Sequence, residues 1–225
     1  MSQKKHIFCA LDFSDLKKTI EFTNIIKDHV GGIKLGLEFF CKYGPNGIEK
    51  LKKFHLPIFL DLKLHDIPNT VKKSIEGLST LPITMLTIHT SGGKLMMESA
   101  MEALKGTDIK VFGVTALTSL SDTDTNQIYQ RKAADQVNAM LDIAEEAKID
   151  GVVCSPHELN LVTARESLLS ITPGIRLTNS NDDQTRVMNP KEAIDLGANY
   201  LVIGRPITGA DNILEALNTI YQSIN

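Results

Sequence analysis

The segment Asp61-Leu62-Lys63-Leu64-His65-Asp66 gathers two carboxylates and an ammonium on an apolar run that begins at Ile58. Ile58–Leu64 reads as a strand, preceded by Pro57 and ended by His65-Asp66-Ile67-Pro68. In a strand, residues i and i+2 share a face about 6–7 Å apart. Asp61 and Lys63 are therefore predicted to project side by side from the strand end, an arrangement suited to acid–base and electrostatic chemistry. The plainer reading is a structural ion pair at a strand terminus, but burying opposite charges carries a desolvation cost that packing alone would not select. Asp66 lies past the strand end, where the pre-proline bias keeps the chain extended. It need not point where the other two do.

The elements that must position these groups alternate from end to end. Strand candidates are His6–Leu11, Gly32–Leu35, Ile58–Leu64, Met85–His89, Val111–Ala116, Gly151–Cys154, Leu169–Thr172 and Tyr200–Ile203. Helical periodicity runs through Leu16–Lys27, Gly47–Phe54, Thr70–Leu78, Lys94–Leu104, Lys132–Lys148, His157–Arg165, Pro190–Leu196 and Asn212–Ile224. The strands are continuous apolar runs, as a parallel sheet covered on both faces requires. Eight βα units in 225 residues predict a single α/β domain over residues 1–225, a (β/α)₈ TIM barrel, with a doubly wound open sheet as the alternative.

In such a barrel chemistry sits at the C-terminal strand ends. The polar residues there are Asp12, Lys34, Asp61, Lys63, Asp66, His89, Thr115, Thr118, Ser155, Arg176 and Arg205. Three carboxylates and two lysines converging on one mouth make a denser charge cluster than a structural network needs. Two late segments suit an anion: Thr172-Pro173-Gly174-Ile175-Arg176 and Ile203-Gly204-Arg205-Pro206-Ile207-Thr208. Phosphate sites in these barrels frequently use the loops after strands seven and eight. Gly204 permits close backbone approach, and Arg205 supplies a bidentate fork. The polar stretch from Leu177 to Arg186, with no apolar period, reads as a lid over the mouth, and Gln184 is its candidate phosphate contact.

A net charge of −3 and the absence of any block of five like charges argue against a general nucleic-acid-binding surface. Lys50, Lys52 and Lys53 read as the solvated end of a helix. Cys9, Cys41 and Cys154 lack metal-ligand spacing; an odd count without a secretory leader suggests reduced thiols in a cytoplasmic protein. No 18-residue apolar run occurs, so no membrane span is expected.

Ala10-Leu11-Asp12, Ile33-Lys34-Leu35-Gly36, Leu60 to Thr70, Val114 to Ser119, Thr172 to Arg176 and Gly204 to Thr208 together resemble the orotidine 5′-phosphate decarboxylase family over nearly the whole chain. The resemblance implies cofactor-independent loss of CO₂ from C6 of orotidine 5′-monophosphate (OMP) to give UMP, with no metal. It assigns proton donation to Lys63, places Asp61 against the substrate carboxylate, and completes an alternating Lys-Asp-Lys-Asp array with Lys34 and Asp66. Alternation keeps all four ionised despite burial. Asp66 is then contributed by the other subunit of a homodimer, and Ile67 and Thr70 are further substrate-binding residues. Asp12 is assigned to the ribose hydroxyls, Thr118 to the pyrimidine edge, and Arg176, Gln184, Gly204 and Arg205 to the phosphate end. His65 and His89 read as structural.

Two departures stand out. The family lid commonly reads Gly-Asp-Gln, here Asp182-Asp183-Gln184, and Asp211-Asn212 lacks the proline that often opens the last helix. Two other readings stay open. One is a metal-dependent sugar-phosphate decarboxylase or synthase of the same superfamily, for which Glu38 is an available extra acidic ligand. The other is a catalytically inactive barrel that binds phosphonucleotides.

Overall fold

The computed structural model describes residues 3–177 and 187–224. Eight parallel strands pair in chain order and close, β8 returning to β1: β1 (Ile7–Ala10), β2 (Gly32–Gly36), β3 (Ile58–Leu64), β4 (Met85–His89), β5 (Lys110–Val114), β6 (Gly151–Val153), β7 (Leu169–Thr172) and β8 (Tyr200–Ile203). The architecture is the expected (β/α)₈ barrel. Around it lie α1 (Leu16–Ile26), α2 (Leu37–Glu49), α3 (Pro68–Leu78), α4 (Gly93–Ala103), α5 (Asp122–Tyr129), α6 (Ala133–Glu146), α7 (Leu159–Thr163), α8 (Pro190–Asp195), α9 (Arg205–Thr208) and α10 (Ile213–Ile224).

The strands are buried on both faces because two cores meet across them. Ile7, Cys9, Ile33, Leu35, Leu60, Val152 and Ile203 face outward into the shell beneath the helices. Phe8, Phe59, Met85, Phe112 and Ile171 fill the barrel interior, with Val153, Leu169, Tyr200 and Val202 packed against them. The rings of Phe8 and Tyr200 meet edge-on at 5.6 Å, and those of Phe112 and Tyr200 at 6.2 Å. Space for these rings comes from neighbouring strands: a Cβ on Gly32 would lie 2.3 Å from the Phe8 ring, and one on Gly151 2.7 Å from that of Phe112. These aromatic side chains fill the barrel between its two ends.

Four helical segments differ from the sequence expectation. The second helix, expected over Gly47–Phe54, is α2 with a kink at Gly44-Pro45. Gly44 takes φ 53°, ψ −154°, and helix resumes on Pro45, so α2 begins at Leu37 and not at Gly47, while Lys52–Phe54 forms a separate 3₁₀ turn. The helix α5 carries almost no apolar period and is set instead by a capping box between Ser121 and Asp124. His157–Arg165 opens as a 3₁₀ turn, Pro156–Glu158, before α7. The four-residue α9 is too short to show periodicity. The cap of α10 is Asn212, whose Oδ1 accepts from Glu215 N at 3.2 Å. No helix among the described residues is long and apolar enough to cross a membrane.

Candidate active site

The centre of the site is an irregularity in β3. Its pairing with β4 runs Leu60 to Leu86 and then Leu64 to Ile88, so Asp61, Leu62 and Lys63 stand opposite the single residue Thr87. The extra length is taken up at Lys63, which adopts φ 51°, a left-handed conformation that costs a non-glycine residue about 1–2 kcal/mol. The bulge turns the Lys63 side chain back onto its neighbour: Nζ donates to Asp61 Oδ1 and Oδ2, both at 2.8 Å. Strand parity thus predicted the pair correctly, but the bulge is what makes the contact.

A second pair lies on the neighbouring strands. Lys34 Nζ donates to Asp12 Oδ1 at 2.7 Å, the lysine side chain being 11% exposed and the aspartate 59%. A Cβ on Gly36 would come within 3.3 Å of that Nζ, so the bare backbone at the end of β2 leaves room for the ammonium. Within this chain the charges therefore group as Lys34–Asp12 and Lys63–Asp61. The alternating four-membered array is not assembled here, because its last member, Asp66, is exposed beyond β3 with Oδ1 accepting from Ile67 N at 2.7 Å.

Both pairs line a cavity of about 520 Å³ at the barrel mouth, within the range usual for small-ligand sites. Its inner wall is apolar, from Ala10, Phe59, Val114, Val153, Ile171 and Val202. Thr118, Arg176, Gly204 and Arg205 complete the rim. In an eight-stranded ring β7 stands across from β3 and β8 across from β4, so the loops that carry Arg176 and Arg205 lie on the other side of the opening from the Asp61–Lys63 pair, and all four residues line the same cavity. Arg176 is buried at 9% exposure and donates from Nη1 to its neighbour's carbonyl, Ile175 O, at 3.0 Å. The chain leaving β7 is pinned to the chain returning at Met188, since Arg176 N donates to Met188 O at 3.0 Å and Met188 N to Gly174 O at 3.3 Å. The lid reading falls mainly on residues 178–186, and with them Gln184 lies outside the described residues.

Ile67 and Thr70 are exposed and, like Asp66, do not line this chain's cavity. Three polar strand-end candidates also lie elsewhere. Thr115 is fully buried and donates to Val153 O at 3.0 Å. Ser155 forms a capping box with Glu158. His89 stacks on His65 with centroids 5.3 Å apart and accepts from Ser91 N at 3.2 Å. Burial, followed by the nearby His65 and Lys63, pushes His89 from about 6.5 down to about 4. His89 does not line the cavity. Cys9 and Cys154 are buried, and burial raises both thiols far above their ordinary range, which makes them unreactive. One functional candidate was missed: Thr87, whose hydroxyl touches both members of the β3 pair. As one threonine in an apolar strand it carries no sequence signal.

Fold and site together define a (β/α)₈ barrel whose charged mouth combines an Asp–Lys couple on the third strand with arginines in the segments that follow the seventh and eighth. Residues 5–220 match the family described as Orotidine 5′-phosphate decarboxylase / HUMPS. Proteins named orotidine 5′-phosphate decarboxylase from Wolbachia pipientis subsp. Culex pipiens and from Ehrlichia canis are each 44% identical, over 97% of this chain and 98% and 97% of theirs. Among solved structures, the orotidine 5′-phosphate decarboxylase of Lactobacillus acidophilus is 34% identical and superposes with a TM-score of 0.81 over 97% of this chain and 98% of its own. An uncharacterized conserved protein from Geobacillus kaustophilus is 31% identical with a TM-score of 0.83, over 97% and 100%. The chain belongs to the orotidine 5′-phosphate decarboxylase / HUMPS family.

Proposed function

We propose that the protein decarboxylates orotidine 5′-monophosphate to UMP, the last step of de novo UMP synthesis, as one catalytic domain in the cytoplasm, without metal or cofactor and without nucleic-acid or membrane partners. The observation that carries the reading is the Lys63 ammonium, held by both oxygens of Asp61 on the wall of a half-apolar cavity that Arg176 and Arg205 also line. The C6–carboxylate bond breaks, its electron pair remains on C6, and CO₂ departs. Lys63 transfers a proton to C6, and the amine left behind is reprotonated from solvent. An ammonium fixed in an apolar setting stabilises developing charge at C6 more than water does, because its orientation is already set. Asp61 sits where the substrate carboxylate must lie, so repulsion between them is relieved as CO₂ leaves.

Binding energy from the far end of the substrate supports this chemistry. Arg205, Gly204, Arg176 and Gln184 take the phosphate, Asp12 the ribose hydroxyls and Thr118 the pyrimidine edge, while Lys34 belongs to the charged array with Asp61 and Lys63. Asp66, Ile67 and Thr70 act in a partner's site in a homodimer. In support, all three are exposed just past β3, and Ile67 leaves 67% of a large apolar side chain uncovered. The metal-dependent alternative finds less support: Glu38 is exposed on the first turn of α2 and does not line the cavity. Loss of orotidylate absorbance, followed with purified protein in excess EDTA, tests the reading. Turnover that persists supports it; turnover that needs an added divalent cation overturns it.

A further inference from the structure

The bulge that presents Lys63 has a single buried fulcrum. Thr87 on β4 is fully buried and forms no part of the cavity wall. Its Oγ1 accepts from the backbone N–H of Lys63 at 2.8 Å and lies 3.0 Å from Asp61 Oδ1. The proton direction follows from the chemistry. A hydroxyl that accepts from an amide still has its one proton to give, and an ionised carboxylate can only accept. The result is a closed circuit: Lys63 N–H to Thr87, Thr87 O–H to Asp61, and Asp61 back to the Lys63 ammonium. Where β3 runs two residues longer than β4, the Lys63 amide is turned to a side-chain acceptor, and Thr87 supplies it.

We infer that Thr87 is a positioning residue for the decarboxylation: one hydroxyl holds the left-handed Lys63 backbone and aims the Asp61 carboxylate, so that proton donor and repelling carboxylate keep their relative places. This rests on the role of Lys63 proposed above. Without the hydroxyl, the amide loses its acceptor inside the barrel and Asp61 keeps, among the described residues, the flexible ammonium as its hydrogen-bond partner, so both groups drift together. Thr87 touches neither the phosphate end nor the ribose end. Its loss therefore moves the chemical step and leaves binding alone.

The test compares Thr87→Ala, Thr87→Val and Thr87→Ser with wild type and Lys63→Ala, measuring kcat and KM for OMP, UMP affinity by calorimetry, and hydrogen exchange at the Lys63 amide. Thr87→Ala and Thr87→Val are expected to lose about 10–100-fold in kcat, as removal of a hydrogen bond that orients a reacting group does, with KM and UMP affinity within about threefold of wild type. Thr87→Ser keeps the hydroxyl and should stay within about threefold in kcat. Lys63 amide exchange should accelerate in the Ala and Val variants only. Should Thr87→Val fail to fold, the Ala–Ser pair decides, since both lack the methyl and differ in the hydroxyl alone. If Ala matches wild type in kcat, or Ser falls as far as Ala, the inference is overturned while an inactive Lys63→Ala leaves the proposed function standing. An active Lys63→Ala instead overturns proton donation by Lys63, the role on which this inference rests.

Discussion

Replacing Gly36 with alanine separates the position of the Lys34 ammonium from the stability of the barrel. Gly36 has φ −97° and ψ −171°, extended backbone that alanine adopts without strain. The fold should therefore be unharmed or gain about 0.4–1 kcal/mol from a less flexible unfolded chain. The new methyl, however, would lie 3.3 Å from Lys34 Nζ and 3.7 Å from Asp12 Oδ1. The second distance is an ordinary contact. The first requires the ammonium to retreat by about 0.4 Å to reach a comfortable separation. If a misplacement of about 1 Å costs about 100-fold in rate, a shift of 0.4 Å scales to about sixfold. Initial rates of orotidylate loss should accordingly show kcat/KM down by about 5–10-fold, while urea denaturation shows stability equal to or above wild type. Gly77, exposed in α3 with nothing within 4 Å of its added Cβ, is the control. Gly77→Ala should stabilise by up to about 1 kcal/mol and leave the kinetics alone. An unchanged kcat/KM in folded Gly36→Ala would refute the claim that Lys34 must stand where the structure puts it.

Three further predictions concern the rim, the histidine stack and assembly. Arg205→Ala should raise KM and lower kcat/KM by about 10–150-fold, the worth of a charged hydrogen bond, and phosphite dianion should partly rescue turnover of a phosphate-free substrate. Unchanged constants would reduce Arg205 to a turn residue. His89, lowered to about 4 in the folded protein, favours its neutral form there. It therefore contributes stability that is present above about 6.5 and lost as pH falls from there through about 4, roughly 1–2 kcal/mol after allowing for its partial exposure. His89→Asn keeps an acceptor for Ser91 N without titrating, so urea denaturation at pH 7 and pH 4.5 should show a smaller acid loss than wild type; equal losses would contradict the assignment. Lys63→Ala and Asp66→Ala, both inactive alone, should regain about a quarter of wild-type activity when subunits exchange at random, because half the dimers then hold one intact site of two. No recovery under proven exchange would place Asp66 in its own subunit's site.

The barrel was legible because its strands are continuous apolar runs, and β3, β4, β7 and β8 begin and end where that pattern does. What escaped notice obeys local rules that periodicity does not carry. The helix α5 is held by a capping box, and α2 survives a Gly-Pro kink. At the site, Asp61 and Lys63 were visible as residue types at a spacing, but their contact depends on a left-handed Lys63. That bulge is a property of two strands pairing out of step, and one strand's sequence does not encode it. Thr87 was invisible for the same reason, since its role exists only across the β3–β4 seam. Asp66, conversely, was read correctly as a residue that parts company with the other two.

The most direct test of the account is single-turnover decarboxylation of OMP by Lys63→Ala, with UMP affinity measured on the same preparation. A general acid and a fixed cation vanish together in this variant, so kcat should fall by at least about 10³-fold, while UMP, held by the phosphate and ribose contacts across the cavity, binds within about threefold of wild type. A folded Lys63→Ala that keeps about a tenth of wild-type kcat would contradict proton donation by Lys63 and with it the mechanism built on the β3 bulge.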